Sequence, residues 1–159
     1  MSRADLPLQS CSIARAVAQV GDEWTILILR EMFLGTRRFD DFLRQTRMSS
    51  HLLAGRLKKL ETLGAIRREA YSEHPPRSEY RLTTMGRDLW PVIIALKQWG
   101  DCWLGDGDAP VQIVHKGCGR LTKPQITCPD CGQVMGARDA KAELTESYER
   151  ERQAAWRHT

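Results

Sequence analysis

Four residues in the last third of the chain, His115, Cys118, Cys128 and Cys131, have the types and the spacing of metal ligands. His115-x2-Cys118-Gly119 and Cys128-x2-Cys131-Gly132 form two knuckles nine residues apart. In each, a glycine follows the second ligand, where the backbone must turn sharply and offer its amides to sulfur. Two such knuckles can close a tetrahedral zinc site with one nitrogen and three sulfur ligands. With every position filled by protein and no His-Glu-x-x-His base motif nearby, the expected role is structural rather than catalytic. The competing reading is a plain β-hairpin lid carrying reduced thiols. Cys11 is a separate case. It opens a helical pattern, where the helix dipole lowers a thiol's pKa, and it reads either as a reactive thiol or as packing. Cys102, within an apolar helical pattern, is expected to be buried filler.

A second chemistry is electrostatic. Between Arg37 and Arg81 stand eleven basic residues against six acidic ones, so this segment alone is +5, while the remainder of the chain, 13 basic against 14 acidic, is close to neutral. Within it, Leu53, Leu57, Leu60 and Gly64 fall on one stripe of a helical pattern over 49 to 63, and Ser50, His51, Ala54, Gly55, Lys58 and Thr62 fall on the opposite face. Small and polar residues suit a helix that enters a groove about 12 Å wide. Ser50, His51, Ala54 and Lys58 are therefore candidates to face bases, Lys58 donating to guanine and Ala54 meeting a thymine methyl. Arg37, Arg38, Arg56, Lys59 and Arg77 are candidates for phosphates. Gly55, in mid-helix, costs roughly 1 kcal/mol relative to Ala, which either close approach to a partner or drift at an exposed site could explain.

The elements that must position these residues follow from the pattern. Residues 11 to 20 read as a first helix, and the nearly all-round apolar run from Trp24 to Leu34 as a buried central one. Phe39, Phe42 and Leu43 mark a short helix ending before Thr46; Ser49 or Ser50 caps the next. Residues 65 to 71 and 77 to 82 alternate as strands around a proline-stiffened tip at Ser72 to Pro76, giving a wing over 66 to 82. Thr83 or Thr84 caps a longer helix with an unusually wide apolar face, Leu89, Trp90, Val92, Ile93, Leu96, Trp99, Gly100 and Trp103, in which Pro91 predicts a kink. That face exceeds what a three-helix core can cover, and a second copy of the chain is the expected partner. The fold class expected is α+β: an N-terminal arm over 1–10, a winged helix-turn-helix domain over 11–104, a linker over 105–110, a small β/zinc-ribbon-like piece over 111–136 and a polar helical tail over 137–159.

In order and spacing, these residues resemble the HxlR (MarR-like) family of bacterial winged-helix transcriptional regulators. The resemblance spans about residues 11 to 104. It rests on Cys11 opening the first helix, Gly21-Asp22-Glu23-Trp24-Thr25-Ile26-Leu27-Ile28-Leu29-Arg30 and Gly35-Thr36-Arg37-Arg38-Phe39. It continues through Leu53-Ala54-Gly55-Arg56-Leu57-Lys58-Lys59-Leu60-Glu61, Gly64-Ala65-Ile66, Pro75-Pro76-Arg77-Ser78-Glu79-Tyr80-Arg81-Leu82-Thr83, Gly86-Arg87 and Trp99-Gly100. Two departures are Asp22-Glu23, where many members carry a Gly-Lys pair, and Ser49-Ser50-His51, where a Ser-Pro pair is usual. The resemblance implies a homodimer whose recognition helix and wing engage a pseudo-palindromic DNA operator, with dimer contacts from the terminal helices. It also implies that in some relatives a cysteine at the place of Cys11 senses oxidants or electrophiles.

Composition bounds the rest. With 159 residues and 42% hydrophobic content, one main domain plus a small appendage is expected. No apolar run approaches the roughly 18 residues of a membrane span, and the first ten residues lack a signal peptide's apolar core, so the expectation is cytoplasmic with no membrane partner. The absence of a Gly-rich phosphate loop, paired acids or a nucleophile–base set argues against an enzyme. The alternatives to a dimeric DNA-binding regulator are a thiol-switched regulator triggered through Cys11, or a winged-helix protein-interaction adaptor. Structural zinc is the one cofactor expected, and no residue pattern marks a small-molecule effector.

Overall fold

Gly21-Asp22 marks a helix boundary for a packing reason. A Cβ at Gly21 would lie 2.7 Å from the Val17 carbonyl oxygen, so the chain turns there without a side chain. Asp22 then caps the next helix, its Oδ1 accepting the Thr25 amide at 3.0 Å and its Oδ2 the Thr25 hydroxyl at 2.7 Å. This computed structural model describes residues 10–74 and 76–156. The expected N-terminal arm, apart from Ser10, and Pro75 at the wing tip lie outside the described residues.

The first four helices are α1 (Ser12–Val20), α2 (Glu23–Phe33), α3 (Phe39–Thr46) and α4 (Ser50–Leu63). Ile28 and Leu29 of α2, Phe42 of α3 and Leu53, Leu57 and Leu60 of α4 are at most 1% exposed and form one core with Val20, Met32, Met48, Ala65 and Ile66. Each such side chain contributes roughly 1.5–3 kcal/mol by burial. α4 begins at the Ser49 cap, whose hydroxyl accepts the Leu52 amide, and ends at Gly64 in the left-handed region (φ 83°).

The wing is an antiparallel hairpin of β1 (Ile66–Glu73) and β2 (Pro76–Leu82), both longer than the alternation predicts. Its register pairs Ile66 with Leu82 and Arg68 with Tyr80, and slips between Ala70 and Ser72, as at a β-bulge. The hairpin is tied back to the helices by the Tyr80 amide, which donates to the Arg37 carbonyl at 2.8 Å, and by an edge-to-face contact between Tyr80 and Phe42.

Thr83 caps a one-turn helix, α5 (Thr84–Arg87), and its hydroxyl donates to the Gly64 carbonyl at 2.6 Å. Gly86 fits because a Cβ there would sit 2.0 Å from the Ala65 carbonyl oxygen. The kink expected at Pro91 is instead a break. The helix stops after Arg87 and restarts as α6 (Trp90–Trp103), which places Pro91 in the first turn, where its missing amide costs nothing.

The chain divides into two compact units, up to Ile93 and from Ile94 onward, so the division falls inside α6 rather than in the 105–110 linker. In the second unit, β3 (Ile113–Val114) pairs with β4 (Leu121–Thr122), and Thr127 bridges Val134. Among the described residues of the tail, the helix is α7 (Glu146–Trp156). Among the described residues, no helix is long and apolar enough to cross a membrane.

Candidate nucleic-acid interface

α3, the three-residue turn Arg47-Met48-Ser49 and α4 form the helix-turn-helix, and its turn is tight because Arg47 itself adopts the left-handed conformation (φ 56°). Non-glycine residues rarely do so, and here Met48 is buried immediately afterwards, pinning the turn to the core. Exposed Arg47 is thereby set just before the N-terminus of α4. Its charge is visible in the sequence, but its position is not, because this backbone conformation at a non-glycine residue has no sequence signature.

The outward face of α4 is the one the periodicity predicts. Ser50, His51, Ala54, Gly55, Lys58 and Thr62 are exposed while the leucine stripe is buried. Around Gly55 a Cβ would find, beyond the adjacent backbone of its own helix, no atom within 4 Å, and its backbone is helical. Neither packing nor dihedral strain within the chain calls for glycine there.

Not every predicted cation is free to meet phosphate. Arg56 donates from Nε to Asp22 Oδ1 at 2.8 Å, and Asp22 is only 6% exposed. Lys59 donates from Nζ to the Ala18 carbonyl at 3.0 Å, where α1 ends. These two residues clamp α4 against α1 and the start of α2, so their charges serve first to hold the helix at its angle. Burial opposes ionisation of Asp22, but bonds from the Thr25 hydroxyl and amide and from Arg56 outweigh it and hold the carboxyl below its ordinary range.

Arg38 is exposed but its guanidinium lies 4.8 Å from the Tyr71 ring centroid, a cation–π contact joining the start of α3 to the wing. On the wing, Arg67 and Arg81 share Glu69, and Arg81 also reaches Glu79. Arg37, Arg68 and Arg77 form no ion pair with any other described residue, and Arg68 and Arg77 are both exposed on the hairpin. Arg68 is thus a further exposed cation on the wing.

The cysteines fall in different environments. Cys11 stands at the N-cap of α1, half-buried, without capping the helix through its side chain. Cys102 is exposed, contrary to its expected role as core filler, because α6 from Ala95 on has no buried residue. His115 Nδ1 lies 3.4 Å from Cys118 Sγ. Cys128 is paired with Cys131, whose amide and thiol, together with the Asp130 amide, lower the Cys128 thiol pKa by hydrogen bonding. The structure thus forms two pairs, but among the described residues no group of three or more His, Cys, Asp or Glu side chains is arranged to hold a metal.

Comparison with known proteins agrees with this architecture. Residues 19–108 match the family model of the HxlR-like helix-turn-helix. A protein of Mycobacterium tuberculosis described as an uncharacterised HTH-type transcriptional regulator is 42% identical over 133 residues, covering 83% of this chain and 84% of its own. The crystal structure of PA1607, a candidate transcription factor, superposes with a TM-score of 0.76 at 30% identity, covering 87% of this chain and 98% of that one. The oxidised form of the redox regulator HypR matches with a TM-score of 0.55 at 32% identity, over 58% of this chain and 96% of its own. With its helix-turn-helix, wing and family match together, the chain belongs to the HxlR-like helix-turn-helix family of transcriptional regulators.

Proposed function

We propose that the protein acts in the cytoplasm as a homodimer on a pseudo-palindromic operator, with α4 in the major groove and the wing on the flanking backbone or minor groove. The observation that carries this reading is the outward face of α4, polar and lightly built from Ser50 to Lys58. On it, Ser50, His51, Ala54 and Lys58 meet base edges. Arg37, Arg47, Arg68 and Arg77 supply phosphate contacts, and Arg56, Lys59 and Arg38 fix the helix and wing that present them. The second copy is supported by α6, where Val92, Leu96, Trp99 and Trp103 recur on one stripe at 47%, 49%, 57% and 72% exposure. Such a stripe on a monomer is an interaction surface. No catalytic role is assigned to any residue.

The test is selection of bound fragments from a random DNA pool, followed by footprinting. Two protected half-sites about 34 Å apart, or a multiple of that, with affinity falling steeply as salt rises, are the expected result. Salt-insensitive binding to another protein, without DNA enrichment, would favour an adaptor instead.

A thiol-switched version of the same function draws support from Cys11 at a helix start and from the likeness to a protein described as a redox regulator. Loss of oxidant-dependent operator release in Cys11→Ser is its expected signature.

A further inference from the structure

The two cysteine-bearing turns are built alike. In the first, the His115 amide donates to the Arg120 carbonyl at 2.9 Å and the Gly119 amide returns to the His115 carbonyl at 2.8 Å. In the second, the Cys128 amide donates to the Gln133 carbonyl at 2.9 Å and the Gly132 amide returns to the Cys128 carbonyl at 2.8 Å. Gly119 and Gly132 both take the left-handed conformation, at φ 69° and 73°. Each turn therefore sets its first and fourth side chains on the same side of a hairpin tip, as the His115–Cys118 and Cys128–Cys131 contacts show. The exposed imidazole lies over Gly117, where a Cβ would meet His115 Cε1 at 2.9 Å.

A second observation is independent of the turns. From Ala95 to Trp156 no described residue whose exposure is assigned is buried. Two-residue strands without a core do not hold a fold by burial, and pieces this small ordinarily need a metal or a disulfide.

We propose that His115, Cys118, Cys128 and Cys131 bind one zinc ion or similar thiophilic divalent metal, which draws the two preformed turns together and replaces the missing core. His115 contributes a neutral ring nitrogen, and the three cysteines contribute thiolates. Three thiol protons pass to solvent on binding and no redox change occurs. Because no three of these side chains yet surround one point, closure requires the tips to approach one another while each keeps its own hydrogen bonds.

The full-length chain, purified under reducing conditions without chelator, should carry about one zinc per chain, and cobalt(II) in its place should give tetrahedral ligand-field bands with thiolate charge transfer. Cys128→Ser should lose the metal and Cys102→Ser should keep it. His115→Cys, which completes a four-thiolate set, should keep one equivalent and strengthen the charge-transfer band, so that the test does not rest on a variant that unfolds. Less than about half an equivalent of metal in the reduced protein overturns the proposal. So does a Cys128–Cys131 disulfide as the stable form, or unchanged metal content in Cys128→Ser.

Discussion

Arg56 Nε and Asp22 Oδ1, 34 residues apart in sequence, are joined at 2.8 Å, so the residue that caps α2 also anchors the helix proposed to read DNA. The angle of α4 against the rest of the domain is thereby coupled to the start of α2. Asp22 is 6% exposed and its two oxygens receive three hydrogen bonds, a fully satisfied buried carboxylate.

Removing the carboxylate should be costly twice over, through the lost cap and through an arginine left without its partner. Asp22→Ala should destabilise the chain by about 2–4 kcal/mol in urea unfolding. Arg56→Ala should cost less than Asp22→Ala, because Thr25 still satisfies part of the carboxylate. In a double-mutant cycle the two effects should be strongly non-additive. Additive effects would mean that the ion pair contributes nothing.

The same carboxylate sets a pH dependence. Because its folded pKa lies below the ordinary value, its contribution is complete above the unfolded pKa and is lost as pH falls through the folded one. The stability advantage of the natural chain over Asp22→Asn should be constant from neutral pH to about pH 5 and shrink below about pH 4. An advantage that grows on acidification would contradict the assignment.

Gly55 separates stability from function. With open space around its missing Cβ, Gly55→Ala should stabilise the helix by up to about 1 kcal/mol. If the backbone lies against DNA there, the same change should weaken operator binding. Unchanged or tighter binding would make the glycine incidental.

On α6, Trp99→Asp places a charge on the exposed apolar stripe without disturbing the core, which α6 joins through Ile93. Sedimentation should show a dimer for the natural chain and a monomer for the variant, with operator affinity lost in parallel. A natural chain that sediments as a monomer at operator-binding concentrations would contradict the proposed assembly.

Local signals explain what was legible in the sequence. The leucine spacing of α4, the Ser49 cap and the alternation of the wing each depend on neighbours a few residues away, and each element lies where its pattern predicts. What was not legible depends on partners distant in sequence. Arg56 and Lys59 look like outward cations until Asp22 and Ala18 are brought beside them, and Arg38 until Tyr71 is. Pro91 reads as a kink within one helix, yet the backbone restarts so that the proline falls in a first turn. Cys102 reads as core because its neighbours are apolar, but from Ala95 onward no described residue whose exposure is assigned is buried. The metal-ligand spacing is plain in the sequence, and the structure adds two matching turns without joining them.

Lys58 is exposed at the centre of the outward face of α4, clear of the internal bonds that occupy Arg56 and Lys59. The most direct measurement is therefore the affinity of Lys58→Ala for the selected operator and for random DNA, each across a salt series. A loss of about 1–3 kcal/mol on the operator, a much smaller loss on random DNA and relaxed base preference at one position are expected. Equal losses on both DNAs would mean that Lys58 touches only phosphate, and no loss on either would remove α4 from the groove.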